Sequence, residues 1–233
     1  SDKKIIEELF LAGCDVFRLN FSHGDIETHR KNYESIRSLE KKYNLATCIL
    51  ADLQGPKLRV GRFTNNLVRL TKGNKFILDL SVEPGDENRV NFPHPEIYEH
   101  LTPNSILLIN DGRIRLQVIE QNKESLITEI LNDAEISNNK GVNIPDVILP
   151  IDALTSKDKS DLMKALDMGV DWVALSFVQQ ADDITNLKKI IGNKALVMAK
   201  IEKPSAVKNI DKIINVADGI MIARGDLGVE MPT

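Results

Sequence analysis

The chain has 233 residues, 42% apolar and 27% charged, enough for one large domain or two small ones. A net charge of −4 and a pI near 5.7 exclude a generally basic surface, so neither nucleic acid nor membrane is expected as a partner and any basic group that matters acts locally. No apolar run is long enough to span a bilayer. Cys14 and Cys48 lie far apart in apolar stretches, without CxxC spacing, which predicts buried free thiols and a cytoplasmic location.

In chain order, Ile5, Ile6, Leu9 and Phe10 set a helical period over residues 2–12, with Gly13 where a left-handed cap belongs. Residues 15–20 (Asp-Val-Phe-Arg-Leu-Asn) read as a strand, followed by a small polar turn, Phe21-Ser-His-Gly24. Ile26, Tyr33, Ile36 and Leu39 form the stripe of a long helix that ends in Lys41-Lys42. Residues 46–52 form a second apolar strand. Two such βα units, with nearly continuous apolar strands, predict a parallel sheet covered by helices.

Beyond Leu53-Gln-Gly-Pro56 the helical period fades. Short β-like runs take its place at residues 67–70, 75–80, 105–109, 113–120 and 125–131, with Asp111-Gly112 marking a hairpin. Residues 57–147 are therefore expected to be a small all-β module inserted into an α/β domain that occupies residues 1–56 and resumes over 148–233. In the resumed part, Thr155 or Ser156 caps a helix carrying Leu162, Met163 and Leu166 and closed by Gly169. A strand is expected at 171–176, a helix at 182–191, a strand at 195–201, one helix over 204–216 and a strand at 219–223. A turn, Arg224-Gly-Asp-Leu-Gly228, follows. Five strands alternating with helices fall short of the eight that close a barrel, so an incomplete barrel is expected, lacking a strand before Ser1 and more after Thr233.

Each strand ends in polar groups, which a parallel barrel gathers at one rim: Arg18, Asn20, Ser22 and His23; Asp52; Ser176; Lys200 and Glu202; Arg224 and Asp226. Lys200 and Glu202 are two apart, so a strand would aim both the same way. That spacing fits either a reactive pair or a surface salt bridge. Glu202 and Asp226 are hard oxygen ligands suited to Mg²⁺. Lys200 and Arg18 could hold a phosphoryl group, and the backbone of the Arg224-Gly225-Asp226 turn could receive a carboxylate. There is no Ser/His/Asp set, no His cluster for zinc and no GxxxxGK[ST] loop.

The chain resembles pyruvate kinases along nearly its whole length. The motifs are residues 17–24 (Phe-Arg-Leu-Asn-Phe-Ser-His-Gly), 52–59 (Asp-Leu-Gln-Gly-Pro-Lys-Leu-Arg), Asn110-Asp-Gly112, 139–145 (Asn-Lys-Gly-Val-Asn-Ile-Pro), Ala199-Lys-Ile-Glu202 and the stretch from Gly219 to Glu230. The resemblance implies a (β/α)8 barrel with a β lid and phosphoryl transfer from phosphoenolpyruvate to ADP, giving pyruvate and ATP. It implies Mg²⁺ on Glu202 and Asp226, Lys200 on the phosphoryl group in flight, Arg18 on the substrate phosphate and the Gly225 backbone on its carboxylate. Asn20, Phe21, Ser22, His23, Arg59 and Lys140 would contact the nucleotide. Asn20, Ser22, Asp52 and the Leu53 carbonyl would line a monovalent-cation site. The chain departs from the K⁺-requiring pattern at Leu53-Gln54 and at Lys57, and so resembles the K⁺-independent subset, with the Lys57 ammonium expected to replace K⁺.

The resemblance further implies a homotetramer when the protein is full length, and it implies that these 233 residues alone are inactive. The competing readings are a Mg²⁺-dependent aldolase or lyase barrel acting on pyruvate or phosphoenolpyruvate, which has no reason to carry the β insert, and a non-catalytic relative. The intact Lys200, Glu202 and Asp226 speak against the second.

Overall fold

A computed structural model describes residues 2–231 except Asp146 and Leu149. In chain order its elements are α1 (Lys3–Leu11), β1 (Val16–Asn20), α2 (Ile26–Tyr43), β2 (Cys48–Asp52), β3 (Leu67–Leu70), β4 (Lys75–Asp79), β5 (Arg89–Asn91), α3 (Pro95–Tyr98), β6 (Ile106–Ile109), β7 (Ile114–Gln121), β8 (Ser125–Ile130), β9 (Ala134–Ser137) and β10 (Val142–Asn143). They continue with α4 (Ser156–Met168), β11 (Trp172–Leu175), α5 (Ala181–Ile191), β12 (Leu196–Ile201), α6 (Pro204–Lys208), α7 (Ile210–Ile214), β13 (Gly219–Ile222) and α8 (Arg224–Glu230). They fall into two compact units. The first holds the residues up to Pro56, Asp152–Ile201 and Asn209–Ile222; the second holds Lys57–Ile151, Glu202–Lys208 and the residues from Ala223 on.

The first unit is built on a five-stranded, all-parallel sheet in the order β1-β2-β11-β12-β13. The central strands are buried on both faces, as helix-covered parallel strands must be: Ile49, Ala51, Val173, Ala174, Leu175, Val197 and Ala199 are all excluded from solvent. β1 alternates instead, with Phe17 and Leu19 inward and Arg18 outward.

Local rules set the helix ends. Asp2 caps α1 by accepting the Lys4 N–H, and Asp25 caps α2 by accepting that of Thr28. At the other end of α1, Cys14 N–H donates to the Leu9 carbonyl and Gly13 N–H to that of Phe10. This is a Schellman closure that needs a positive φ, here +88° at Gly13. Thr155 and Asp158 form a reciprocal capping box on α4, and Gly169 closes that helix in the left-handed region. Met163, expected on the apolar stripe of α4, is exposed; the buried face is Asp158, Leu162, Ala165 and Leu166.

Two aspartates tie the starts of neighbouring strands. Asp171 Oδ2 accepts the Ile49 N–H at 2.7 Å and pairs with Arg37, while Asp218 Oδ2 accepts the Val197 N–H at 2.8 Å and pairs with Lys188 through Oδ1. A cleft of ≈ 770 Å³ lies at this amino-terminal edge, lined by Asp171, Lys188, Lys194 and Asp218 among others, and it contains none of the candidate site residues.

The second unit contains a six-stranded sheet, β10-β6-β7-β8-β4-β5, and the β3–β9 pair. Alternate residues of these strands enclose one core: Phe76 and Leu78; Leu107 and Ile109; Ile114, Leu116 and Val118; Leu126 and Ile130. The β6–β7 hairpin turns through Asn110, Asp111 and Gly112, all at positive φ. Four elements here had no sequence signal: β5 and β10 are very short, β9 is a plain four-residue run, and α3 is a single turn begun by Pro95.

The segment expected as one helix over 204–216 is two. The chain breaks at Asn209, whose Nδ2 donates to the Gln179 carbonyl, and α6 and α7 belong to different units. The expected turn at 224–228 is helical (α8). The thiols of Cys14 and Cys48 are half-buried rather than buried; burial first, and the Asp171 carboxylate second, pushes the Cys48 thiol up.

Candidate functional site

In the first unit the carboxyl edge of the parallel sheet concentrates charge around one residue. Asp52, the last residue of β2, pairs in register with Asn20 on β1 and Ala174 on β11, and its side chain is only 1% exposed. Burying a lone carboxylate costs several kcal/mol, so it must be paired. Two cations meet it. Arg18 donates from Nε and Nη2 to Oδ2, each at 2.6 Å, and Lys200 Nζ lies 3.2 Å from Oδ1. Lys200, itself 11% exposed, also donates to Ser176 Oγ at 2.7 Å, and Ser176 Oγ donates to the Leu53 carbonyl at 2.7 Å. The fold thus brings together Arg18, Asp52, Leu53, Ser176 and Lys200, which come from four different strands or the residues just after them.

The surrounding loops are held in place. Gly55 sits at φ +70°, and a Cβ there would come within 2.8 Å of the Phe177 ring and 2.9 Å of Ser176 Cβ, so only glycine fits the turn after β2. Fully buried Asp158 accepts the Gly55 N–H at 3.2 Å. The loop from Asn20 to Gly24 hangs from β2 and α4 as well: Phe21 N–H donates to the Asp52 carbonyl, Lys157 Nζ donates to that of Phe21, and the Asn20 side chain accepts the Ser22 N–H. Ser22 and His23 are exposed. Phe21 is buried and stacked on the His29 ring at 4.4 Å, and His29 Nε2 lies 3.0 Å from the His23 carbonyl. Phe21 and His29 therefore shape the loop from beneath. His29 carries no distinct signal in the sequence, because it falls on the apolar face of α2.

In the second unit, Glu202 follows β12 directly and is 1% exposed, and Asp226 stands in the first turn of α8. Because β12 ends at Ile201, the two-residue strand period that was to align Glu202 with Lys200 does not extend to Glu202. Gly225 is exposed in the same first turn, where backbone N–H groups have no intrahelical acceptor, so donors are available there as they were in the expected turn. Lys57 Nζ lies 4.0 Å from Asp226 Oδ1, and the Lys57 stem passes Gly141, where a Cβ would come within 3.3 Å of Cε. Arg59 bridges to Gly141 and donates from Nη1 to the Asn139 carbonyl at 2.8 Å, which puts it beside Lys140. The donor chemistry of Glu202 and Asp226 fits Mg²⁺, which takes one or two carboxylates and completes its shell with water and substrate oxygens. Among the described residues no group of three or more His, Cys, Asp or Glu side chains could hold a metal, as a self-sufficient protein cage would require.

A family model described as the barrel domain of pyruvate kinase matches residues 1–233. The chain belongs to the pyruvate kinase family. It is similar to a pyruvate kinase of Methylorubrum extorquens, 48% identical over 98% of this chain and 48% of the relative. It is also similar to two pyruvate kinases of Agrobacterium vitis, 46% and 45% identical over 100% of this chain, covering 48% and 49% of those proteins. The chain therefore spans about half the length of the curated pyruvate kinases it matches. The alternating all-parallel unit fits part of the family's barrel. Among the described residues no helix is long and apolar enough to cross a membrane.

Proposed function

We propose that the full-length protein is a pyruvate kinase that moves the phosphoryl group of phosphoenolpyruvate to ADP. The bond between phosphorus and the enol oxygen breaks as a β-phosphate oxygen of ADP bonds phosphorus. The enolate then takes a proton on carbon and leaves as pyruvate, with ATP as the other product. The observation that carries this reading is the convergence of Arg18 and Lys200 on one buried carboxylate. Phosphoryl transfer calls on a protein chiefly for positioning and charge neutralisation, and two cations held in a fixed geometry on a buried carboxylate supply both.

Arg18 holds the substrate phosphate, and Lys200 neutralises the equatorial oxygens of the group in flight. The Gly225 backbone receives the substrate carboxylate. Asn20, Phe21, Ser22, His23, Arg59 and Lys140 are the positions that the family resemblance assigns to the nucleotide, Phe21 by setting the shape of its own loop. Glu202 and Asp226 hold Mg²⁺, which when bound draws off charge from the phosphoryl oxygens. Asn20, Ser22, Asp52 and the Leu53 carbonyl are the family's monovalent-cation positions. Here Asp52 already carries two cationic partners, and Lys57 brings an ammonium to Asp226, which supports function without K⁺. The protein works in the cytoplasm, in glycolysis, as a homotetramer.

The test is pyruvate release by the purified full-length protein, with phosphoenolpyruvate, ADP and Mg²⁺ each omitted in turn. All three are required, and Lys200→Met lowers kcat by roughly 10²–10³-fold, as loss of a preorganised electrostatic donor does. Pyruvate formed without ADP would mean that water rather than ADP takes the phosphoryl group and would overturn the reading, and no turnover at all would identify a non-catalytic relative.

A further inference from the structure

We infer that the buried pair Lys203–Glu230 positions the two carboxylates assigned to the metal, an inference that rests on that assignment. Lys203 directly follows Glu202, and Glu230 lies one helical turn beyond Asp226 on α8. Lys203 Nζ is 3.2 Å from both carboxylate oxygens of Glu230, and the two side chains are 3% and 1% exposed. Two further bonds fix the pair to β10: Asn143 Nδ2 donates to Glu230 Oε1 at 3.0 Å, and Lys203 Nζ donates to the Ile144 carbonyl at 3.2 Å. Among the described residues, Glu230 Oε2, wholly buried, has no hydrogen-bond partner, and the Lys203 ammonium lies 3.2 Å from it.

The helix makes the role specific. All seven residues of α8 are described, and Glu230 is the one that is buried. Around Gly225 and Gly228 a Cβ would meet nothing within 4 Å. The fully buried anchor of the helix that carries Asp226 is therefore a charge, while its apolar residues Leu227 and Val229 are only partly buried. A buried ion pair is a poor device for stability, because matched apolar side chains do as well or better, but it fixes one geometry where an apolar contact tolerates several. This pair joins the segment carrying Glu202, the helix carrying Asp226 and the strand that follows Lys140, all within the second unit. Outer-shell partners of metal ligands carry affinity through such orientation.

The experiment is Mn²⁺ binding to the full-length protein, read by electron paramagnetic resonance without substrate, beside the Mg²⁺ concentration giving half-maximal activity. Lys203→Met weakens Mn²⁺ about 10–100-fold, as loss of an outer-shell partner does, and raises the Mg²⁺ requirement in proportion, with kcat at saturating Mg²⁺ held within a few-fold. The double variant Lys203→Met/Glu230→Leu removes both buried charges, so it folds, and it still binds Mn²⁺ weakly. Asp226→Asn separates the two ideas. If it keeps native Mn²⁺ affinity, the metal assignment falls and the positioning role with it. If it loses Mn²⁺ while the double variant binds like wild type, the assignment stands and Lys203–Glu230 is structural only.

Discussion

Asp52 shows how a single side chain can organise a site. It is excluded from water, yet it lies at the carboxyl end of an otherwise apolar strand, so its charge must be met inside the protein. Arg18 reaches it from one side with two nitrogens on one oxygen, and Lys200 approaches the other oxygen. Substituting Asp52→Asn keeps the shape and removes the carboxylate charge that nearly buried Lys200 meets at 3.2 Å. Breaking a buried pair in this way costs about 3–5 kcal/mol. Urea unfolding of the variant should show that loss, and a stability equal to wild type would mean that the Asp52 charge adds nothing to stability. Arg18, Asn20, Asp52 and Lys200 were legible as single residues because each is a polar group within or at the end of an otherwise apolar strand. Lys203 and Glu230 were not: each looks like an ordinary surface charge until packing removes it from solvent.

At the scale of elements, the amino-terminal edge of the sheet is held by carboxylates that accept strand N–H groups. Burial would raise the carboxyl of Asp218, but the Lys188 ammonium and the Val197 N–H outweigh it and hold the group below its ordinary value of 3.8. A folded-state value below the unfolded one adds stability that is fully present above the unfolded value and fades as pH falls through the folded one. Asp218→Asn should therefore destabilise at neutral pH, and the gap to wild type should narrow as pH drops below about 4. A gap constant from pH 7 to pH 2, measured by chemical unfolding, would contradict this. Helix signals were reliable where a cap had to be satisfied, as at Gly13, Thr155 and Gly169. They failed at Asn209, where a continuous apolar pattern hid a break set by a bond to the distant Gln179 carbonyl.

On the scale of the molecule, the candidate residues fall in both units. The parallel-sheet unit holds Arg18, Asp52 and Lys200, and the β-rich unit holds Glu202, Asp226, Lys57, Arg59 and Lys140. With Asp52 carrying two cations and Lys57 lying 4.0 Å from Asp226, positive charge is built into both sets. The full-length protein should therefore show the same rate in Na⁺ buffer as in K⁺ buffer at equal ionic strength. Strong activation by K⁺ would overturn this and return Asp52 to the role of an ion ligand.

The sequence by itself determined the alternation of apolar strands and amphipathic helices, the change to β texture after Pro56 and the polar residue closing each strand. These follow from side-chain periodicity, which is local. Only the tertiary structure decided that Arg18 and Lys200 share one carboxylate, that Phe21 stacks on His29 beneath the loop from Asn20 to Gly24, that α6 and α7 are separate, and that Lys203 and Glu230 are buried together. Each of these depends on residues distant in the chain losing water in the same place, and no window of sequence records which charges will be desolvated together.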